Sequence, residues 1–119
     1  MRRRRLLTLL GAVSLGGCTG GPGDSITALA VNKDETAHTV SMWVARDDRL
    51  VVSNAVKVAG GEVATLGETP WRRGRYRVTV RVDGNPEIAE SFRSTAWFNQ
   101  LDAVVDTDGT AELHRGRAA

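Results

Sequence analysis

From Ile26 onward, apolar and polar side chains alternate in short runs that glycine, aspartate and asparagine interrupt. The clearest run is Arg75 to Val82. Tyr76, Val78, Val80 and Val82 fall on one face, and Arg77, Thr79 and Arg81 on the other. A period of two belongs to a half-buried β-strand, with one face toward a core and one toward water. The same rhythm predicts strands over Ile26 to Val31, His38 to Arg46, Leu50 to Val58, Glu62 to Leu66, Ile88 to Ser94, Leu101 to Asp106 and Thr110 to His114. Between them stand turn-forming clusters: Asn32-Lys33-Asp34-Glu35, Asp47-Asp48, Gly60-Gly61, Asp83-Gly84-Asn85-Pro86 and Asp108-Gly109. Gly60-Gly61 and Asp108-Gly109 read as hairpin turns. If the Asp83–Glu87 loop sets the register, Ile88 and Phe92 return beside the valine face and Arg93 lies opposite Arg77. No stretch holds an apolar period near 3.6 for three turns, and no internal repeat is present. Strands spaced this way predict an all-β antiparallel sandwich of about seven strands over residues 26–115.

The first 25 residues follow a different pattern. Arg2 to Arg5 precede an apolar run, Leu6 to Leu15, and then Gly16, Gly17 and Cys18. A basic start, a short apolar stretch and small residues at a cleavage point describe an export signal. The run of about ten residues is half the roughly 20 that a membrane span needs. Leu15-Gly16-Gly17-Cys18 resembles the lipobox of prokaryotic lipoproteins. That resemblance implies cleavage before Cys18, a signal peptide over 1–17 and a lipid on the new terminal cysteine. The chain would then sit at the cell membrane, lipid-anchored and facing the outside. Arg3-Arg4-Arg5-Leu6-Leu7 also resembles a twin-arginine export motif. Gly20-Gly21-Pro22-Gly23 makes residues 18–25 a flexible tether, and residues 116–119 are expected to be a disordered tail.

Cleavage changes the charge. The whole chain has 16 basic and 14 acidic side chains. Four arginines leave with residues 1–17, so the remainder is slightly acidic and its charge points to no nucleic-acid partner. Cys18 is the one cysteine, so no disulfide can staple the domain and its core must hold it. Arginine far outnumbers lysine, as in GC-rich genomes. Taken with the lipobox and the valine-threonine strands, this resembles the small exported lipoproteins of halophilic archaea, with an actinobacterial source as the alternative. The strand rhythm over roughly residues 25–115 resembles an immunoglobulin-like or fibronectin type III-like sandwich. Trp43, however, falls on the face opposite Val40, Met42 and Val44, away from the place of a core tryptophan.

Candidate chemistry is sparse. His38, His114 and Met42 are three parts of a blue-copper set, but the thiolate is missing once Cys18 carries lipid. Ser41, Ser53, Ser91 and Ser94 fall in strands, none in a GxSxG elbow. Asp106-Thr107-Asp108-Gly109, with Asp102 nearby, lacks the further carboxylates of a calcium loop and reads as a turn. Trp71, Trp97 and Phe98 lie in or beside loops and read as plugs for the ends of the sandwich. No catalytic residue, metal or cofactor is assigned.

One cluster invites a function. Arg75, Arg77 and Arg81 project from one face of their strand, Arg93 joins them from the next, and Arg72 and Arg73 extend the charge. Such a face would contact an anionic surface: lipid headgroups, an acidic glycan or an acidic envelope protein. Alternatively it is a solvated face neutralised by Glu90, Asp102 or Asp106. The reading from sequence is therefore a lipid-anchored envelope protein with a non-catalytic binding or scaffolding role. A small-ligand or metal-binding domain on the same anchor is the alternative, and an enzyme of unrecognised type comes third.

Overall fold

The computed structural model describes residues 24–117, and these form eight strands. They are β1 (Ser25–Asn32), β2 (His38–Arg46), β3 (Arg49–Val58), β4 (Val63–Pro70), β5 (Gly74–Val82), β6 (Asn85–Ser94), β7 (Gln100–Val105) and β8 (Ala111–Gly116). Cys18, the signal segment and most of the tether lie outside the described residues. The last strand runs on to Gly116, the first residue of the expected tail, and residues 118–119 lie outside the described residues.

Two four-stranded sheets face each other, ordered β4-β1-β7-β8 and β3-β2-β5-β6. Alternation explains the arrangement. Val40, Met42 and Val44 of β2 and Tyr76, Val78, Val80 and Val82 of β5 are buried on one inner face. Ile26, Ala28 and Ala30 of β1 with Leu101, Ala103 and Val105 of β7 supply the other. The two faces join in a single apolar cluster, the only way each sheet can remove its apolar side from water.

Three expectations are corrected. First, Gly60-Gly61 does not close a hairpin, because β3 and β4 belong to different sheets. The segment crosses from one sheet to the other around Asn32, whose buried side chain donates to the carbonyls of Thr36 (2.9 Å) and Val58 (3.0 Å). The Asn32 main chain pairs with Gly61 and Glu62, 2.9 Å each. A Cβ on Gly60 would run into the Glu35 carbonyl, so this passage tolerates glycine alone. Second, the sandwich is not wholly antiparallel. After β6 the chain changes sheets and enters β7 at the end where β1 begins, so those two run parallel. Third, Arg93 lies opposite Arg75, and Ser91 opposite Arg77. Asp83 and Gly84 both have positive φ (51° and 83°), the geometry of a two-residue type I′ turn. That turn is tighter than a five-residue loop, and a bulge at Val80/Arg81 adjusts the remaining offset. Ile88 and Phe92 still face Val80 and Tyr76, as alternation requires.

Strands that reverse at every turn give the sandwich two ends. At the Ser25 end lie the β2–β3 turn, the β4–β5 and β6–β7 loops and the end of β8. At the Asn32 end lie the β1–β2, β3–β4, β5–β6 and β7–β8 connections. Asp24 is bonded to the β4–β5 loop through its carbonyl, which accepts from the Trp71 amide. The chain therefore enters the domain at the Ser25 end.

Candidate functional site

Aromatic side chains close the Ser25 end. Tyr76 stacks on Phe92 (centroids 5.5 Å apart, 6° between planes), and both meet Phe98 edge-on at 5.4 and 5.8 Å. The Tyr76 hydroxyl donates to the Arg72 carbonyl (2.6 Å) and accepts from the Arg72 amide (3.2 Å). A tyrosine bonded back to the main chain just upstream of its own strand is the tyrosine corner of immunoglobulin-like sandwiches. Trp71 is half-buried, and its indole donates to the Ser94 hydroxyl at 3.1 Å. Of Trp71, Trp97 and Phe98, all expected as plugs, Phe98 is in the core and Trp71 packs against it, whereas Trp97 is half-buried outside that cluster. Trp43 lies on the outer face, with Arg81 5.7 Å from its ring centroid.

On the outer face of the same end the arginines gather. Arg75, Arg77 and Arg93 line a groove of about 600 Å³, together with Ala45, Asp47, Asp48 and Ser91. Arg93 also lines a second depression with Phe98 and Arg115, which continues the basic surface around the β6 edge. The β2–β3 turn brings in Arg46 and Arg49, directly opposite each other. Arg75 and Arg93 form a second directly opposed pair. Like charges so placed repel, and carboxylates do little to relieve them. Among the described residues the one ion pair here is Arg77–Asp48, at 3.9 Å between largely exposed side chains. Other arginines rest on carbonyl oxygens or rings. Arg46 donates to Pro70 (3.1 Å), Arg72 to Trp71 (2.8 Å) and Arg117 to Trp97 (3.2 Å). Arg115 lies 3.9 Å from the Phe92 centroid. Such contacts hold a guanidinium in place and leave its charge available.

The Asn32 end has the opposite character. Asp34 and Glu35, Glu62, Asp83, and Asp106 and Asp108 stand in its four connections. His38 is clamped between two of them, with Nδ1 2.6 Å from Asp83 and Nε2 2.8 Å from Asp34. A carboxylate only accepts, so the clamp is complete when both ring nitrogens donate, as an imidazolium does. The hydrogen bonds to Asp34 and Asp83 raise the His38 pKa, and the same bonds to His38 lower both carboxyls. In the β7–β8 connection, Asp108 Oδ1 accepts from the Thr110 amide (3.0 Å) and hydroxyl (2.7 Å), and Gly109 takes φ 84°. Those bonds make a turn, and they lower the Asp108 pKa.

Of the four arginines singled out from sequence, three converge and one does not. Arg81 projects from the same face but stands six residues along β5 from Arg75, about 20 Å away at strand rise. It belongs to the Asn32 end. The expected neutralising residues also fall elsewhere: Asp102 and Asp106 attach to the other sheet, and Glu90 borders a depression between the β6 and β8 edges. Sequence reasoning passed over Arg46, Arg49, Arg115 and Arg117. Turn parity was the signal that could have found them, because alternate connections of an up-and-down chain fall at the same end.

A two-sheet sandwich with a tyrosine corner and a charged end, built without a helix among the described residues, defines an immunoglobulin-like domain. The model of the halobacterial Ig-like domain family matches residues 36–119, and the chain belongs to that family. The match covers β2 to β8 and begins after β1. No curated protein matches the chain.

Proposed function

We propose that the protein is a lipid-anchored module at the outer face of the cell membrane, held through Cys18 and acting in binding or scaffolding without catalysis. The observation that carries this reading is the run from Arg2 to Cys18, ending in Leu15-Gly16-Gly17-Cys18. Membership of an Ig-like family supports the non-catalytic role at the level of fold class. The envelope is the setting, with a surface protein or glycan as the partner class, and export follows the twin-arginine route. Cys18→Ser tests the anchor. Cell fractionation and intact mass should show the variant released from membranes or left unprocessed. A cleaved, unlipidated chain that still sediments with membranes would overturn the reading.

A further inference from the structure

The distribution of charge says more than the presence of arginines. Every arginine after residue 23 except Arg81 lies in the half of the domain nearest Ser25, nine in all against six carboxylates there: Asp24, Asp47, Asp48 and Glu68, with Glu90 and Asp102 near the midline. Asp47 is already committed, its Oδ1 accepting from the Arg75 amide at 3.0 Å. The opposite half holds Arg81, Lys33 and Lys57 among a large excess of carboxylates. A slightly acidic domain is thus strongly bipolar.

We propose that the arginine pole docks on the anionic headgroups of the membrane and turns the acidic pole outward. Three observations choose lipid over other anions. The chain enters the domain at this same pole, and the six residue steps from Cys18 to Asp24 reach at most about 20 Å. A domain anchored at Cys18 therefore has this end close to the bilayer. Secondly, strand pairing sets Arg46 opposite Arg49 and Arg75 opposite Arg93, Arg46 is held by the Pro70 carbonyl, and all four lack carboxylate partners within ion-pair distance among the described residues. Guanidinium forks in that state fit phosphate oxygens. Thirdly, Leu50, 57% exposed, follows Arg49 just behind the Asp47-Asp48 turn, where an apolar side chain can enter the headgroup layer. A single acyl chain binds membranes marginally, and a basic patch is one of the second signals that make anchoring stable. The tether carries no such patch. The fold supplies it.

This inference uses the proposed anchor for its geometry, and its test does not require the anchor. Residues 24–119, which contain all eight strands and the whole core, lack Cys18 altogether. In about 0.1 M salt this domain should cosediment with phosphatidylglycerol vesicles and not with phosphatidylcholine vesicles. Arg72→Gln with Arg73→Gln should weaken binding by about fivefold per arginine removed. Arg75→Gln with Arg93→Gln should do the same. Lys33→Gln with Arg81→Gln, at the acidic pole, should leave it within twofold. Equal binding to the two vesicles, equal loss from variants at both poles, or tighter binding to a soluble acidic polysaccharide would each overturn the proposal. A second measurement needs no variant. In the full chain reconstituted in vesicles, trypsin should cut after Arg72 and Arg73 several-fold more slowly on phosphatidylglycerol than on phosphatidylcholine. Identical rates would also overturn it. Failure of the Cys18→Ser experiment removes the anchor and with it the trypsin comparison, and leaves the cosedimentation outcomes unchanged.

Discussion

Tyr76→Phe is the most informative single change, because it removes two hydrogen bonds and leaves the ring in place. Tyr76 is fully buried, stacked on Phe92 and edge-on to Phe98, and phenylalanine can keep both contacts. What goes is the bond to the Arg72 carbonyl at 2.6 Å and the weaker one from the Arg72 amide at 3.2 Å. A net hydrogen bond contributes about 0.5–1.5 kcal/mol, and a buried group left without a partner adds a penalty of about 1–3 kcal/mol. Water can reach this loop, since Arg72 and Arg73 are exposed, so the penalty falls at the low end. The expected cost is about 1.5–2.5 kcal/mol. For a domain of this size each kcal/mol moves Tm by roughly 4–8 °C, so thermal melting should shift downward by about 6–20 °C. Urea unfolding should show a lower midpoint at an unchanged slope, the mark of lost stability without a changed transition. A midpoint within error of the parent would refute the reasoning, because it would mean that the corner bond does not hold the β4–β5 loop. A changed slope would refute it differently, by showing that the packing of the whole end had altered.

Three further outcomes follow from the fold. Val80→Ala removes two buried carbons from a fully enclosed site and should cost about 2 kcal/mol, whereas Thr79→Ala on the outer face should stay within about 0.5 kcal/mol; chemical denaturation of the pair checks this. Gly60→Ala should destabilise by more than about 2 kcal/mol through collision with the Glu35 carbonyl, and a Tm equal to the parent would show that the crossing can yield. The His38 clamp predicts a stability plateau between about pH 4 and 6.5. His38 has a raised pKa, so its contribution is complete below the ordinary histidine value and is lost as pH climbs through the raised one. Asp34 and Asp83 have lowered pKa values, so theirs is present above the ordinary carboxyl value and is lost as pH falls through the lowered ones. Melting across pH with His38→Gln should flatten the alkaline limb; an unchanged limb would mean that His38 does not couple to folding.

Strand positions were legible because a period of two marks the core face of β1, β2 and β5; it lapses in β4, which buries Leu66 and Thr69, and at the end of β7, which buries Ala103, Val104 and Val105 in a row. Partner choice was not legible at Gly60-Gly61, where two glycines look like a hairpin whether the chain turns back in its own sheet or passes to the other. What decides between them is the Asn32 side chain, a contact distant in sequence. The register of Arg93 failed for a local reason. Asp83 can adopt positive φ, so two residues complete a turn that seemed to need five. Arg75, Arg77 and Arg93 could be grouped from their strands, but nothing local in the sequence tells that Arg115 lies beside Phe92 on the same surface.

The charge polarity is a different case, since its elements were all in the sequence and only their combination was missing. Connections alternate between the two ends, so the first, third, fifth and seventh fall together, and each of these is acidic. The second is Asp47-Asp48 flanked by Arg46 and Arg49, the fourth carries Arg72 and Arg73, and both share their end with the start of β1. A separation that follows turn parity over the whole chain is not what a surface needs for solubility, which interspersed charges serve as well. Crowding arginines at one end also costs repulsion, and that cost depends on the medium. At about 1 M salt the screening length is near 3 Å, so neighbouring guanidinium groups scarcely feel one another while a fork in contact with a phosphate still does. Long-range attraction to a membrane is lost under the same conditions, and the proposed anchor, through a short tether, would compensate by keeping the effective concentration of headgroups at roughly millimolar or above. The chain belongs to the halobacterial Ig-like domain family. In high salt the bipolar surface would be cheapest to fold, and the proposed docking would favour a domain already held at the membrane.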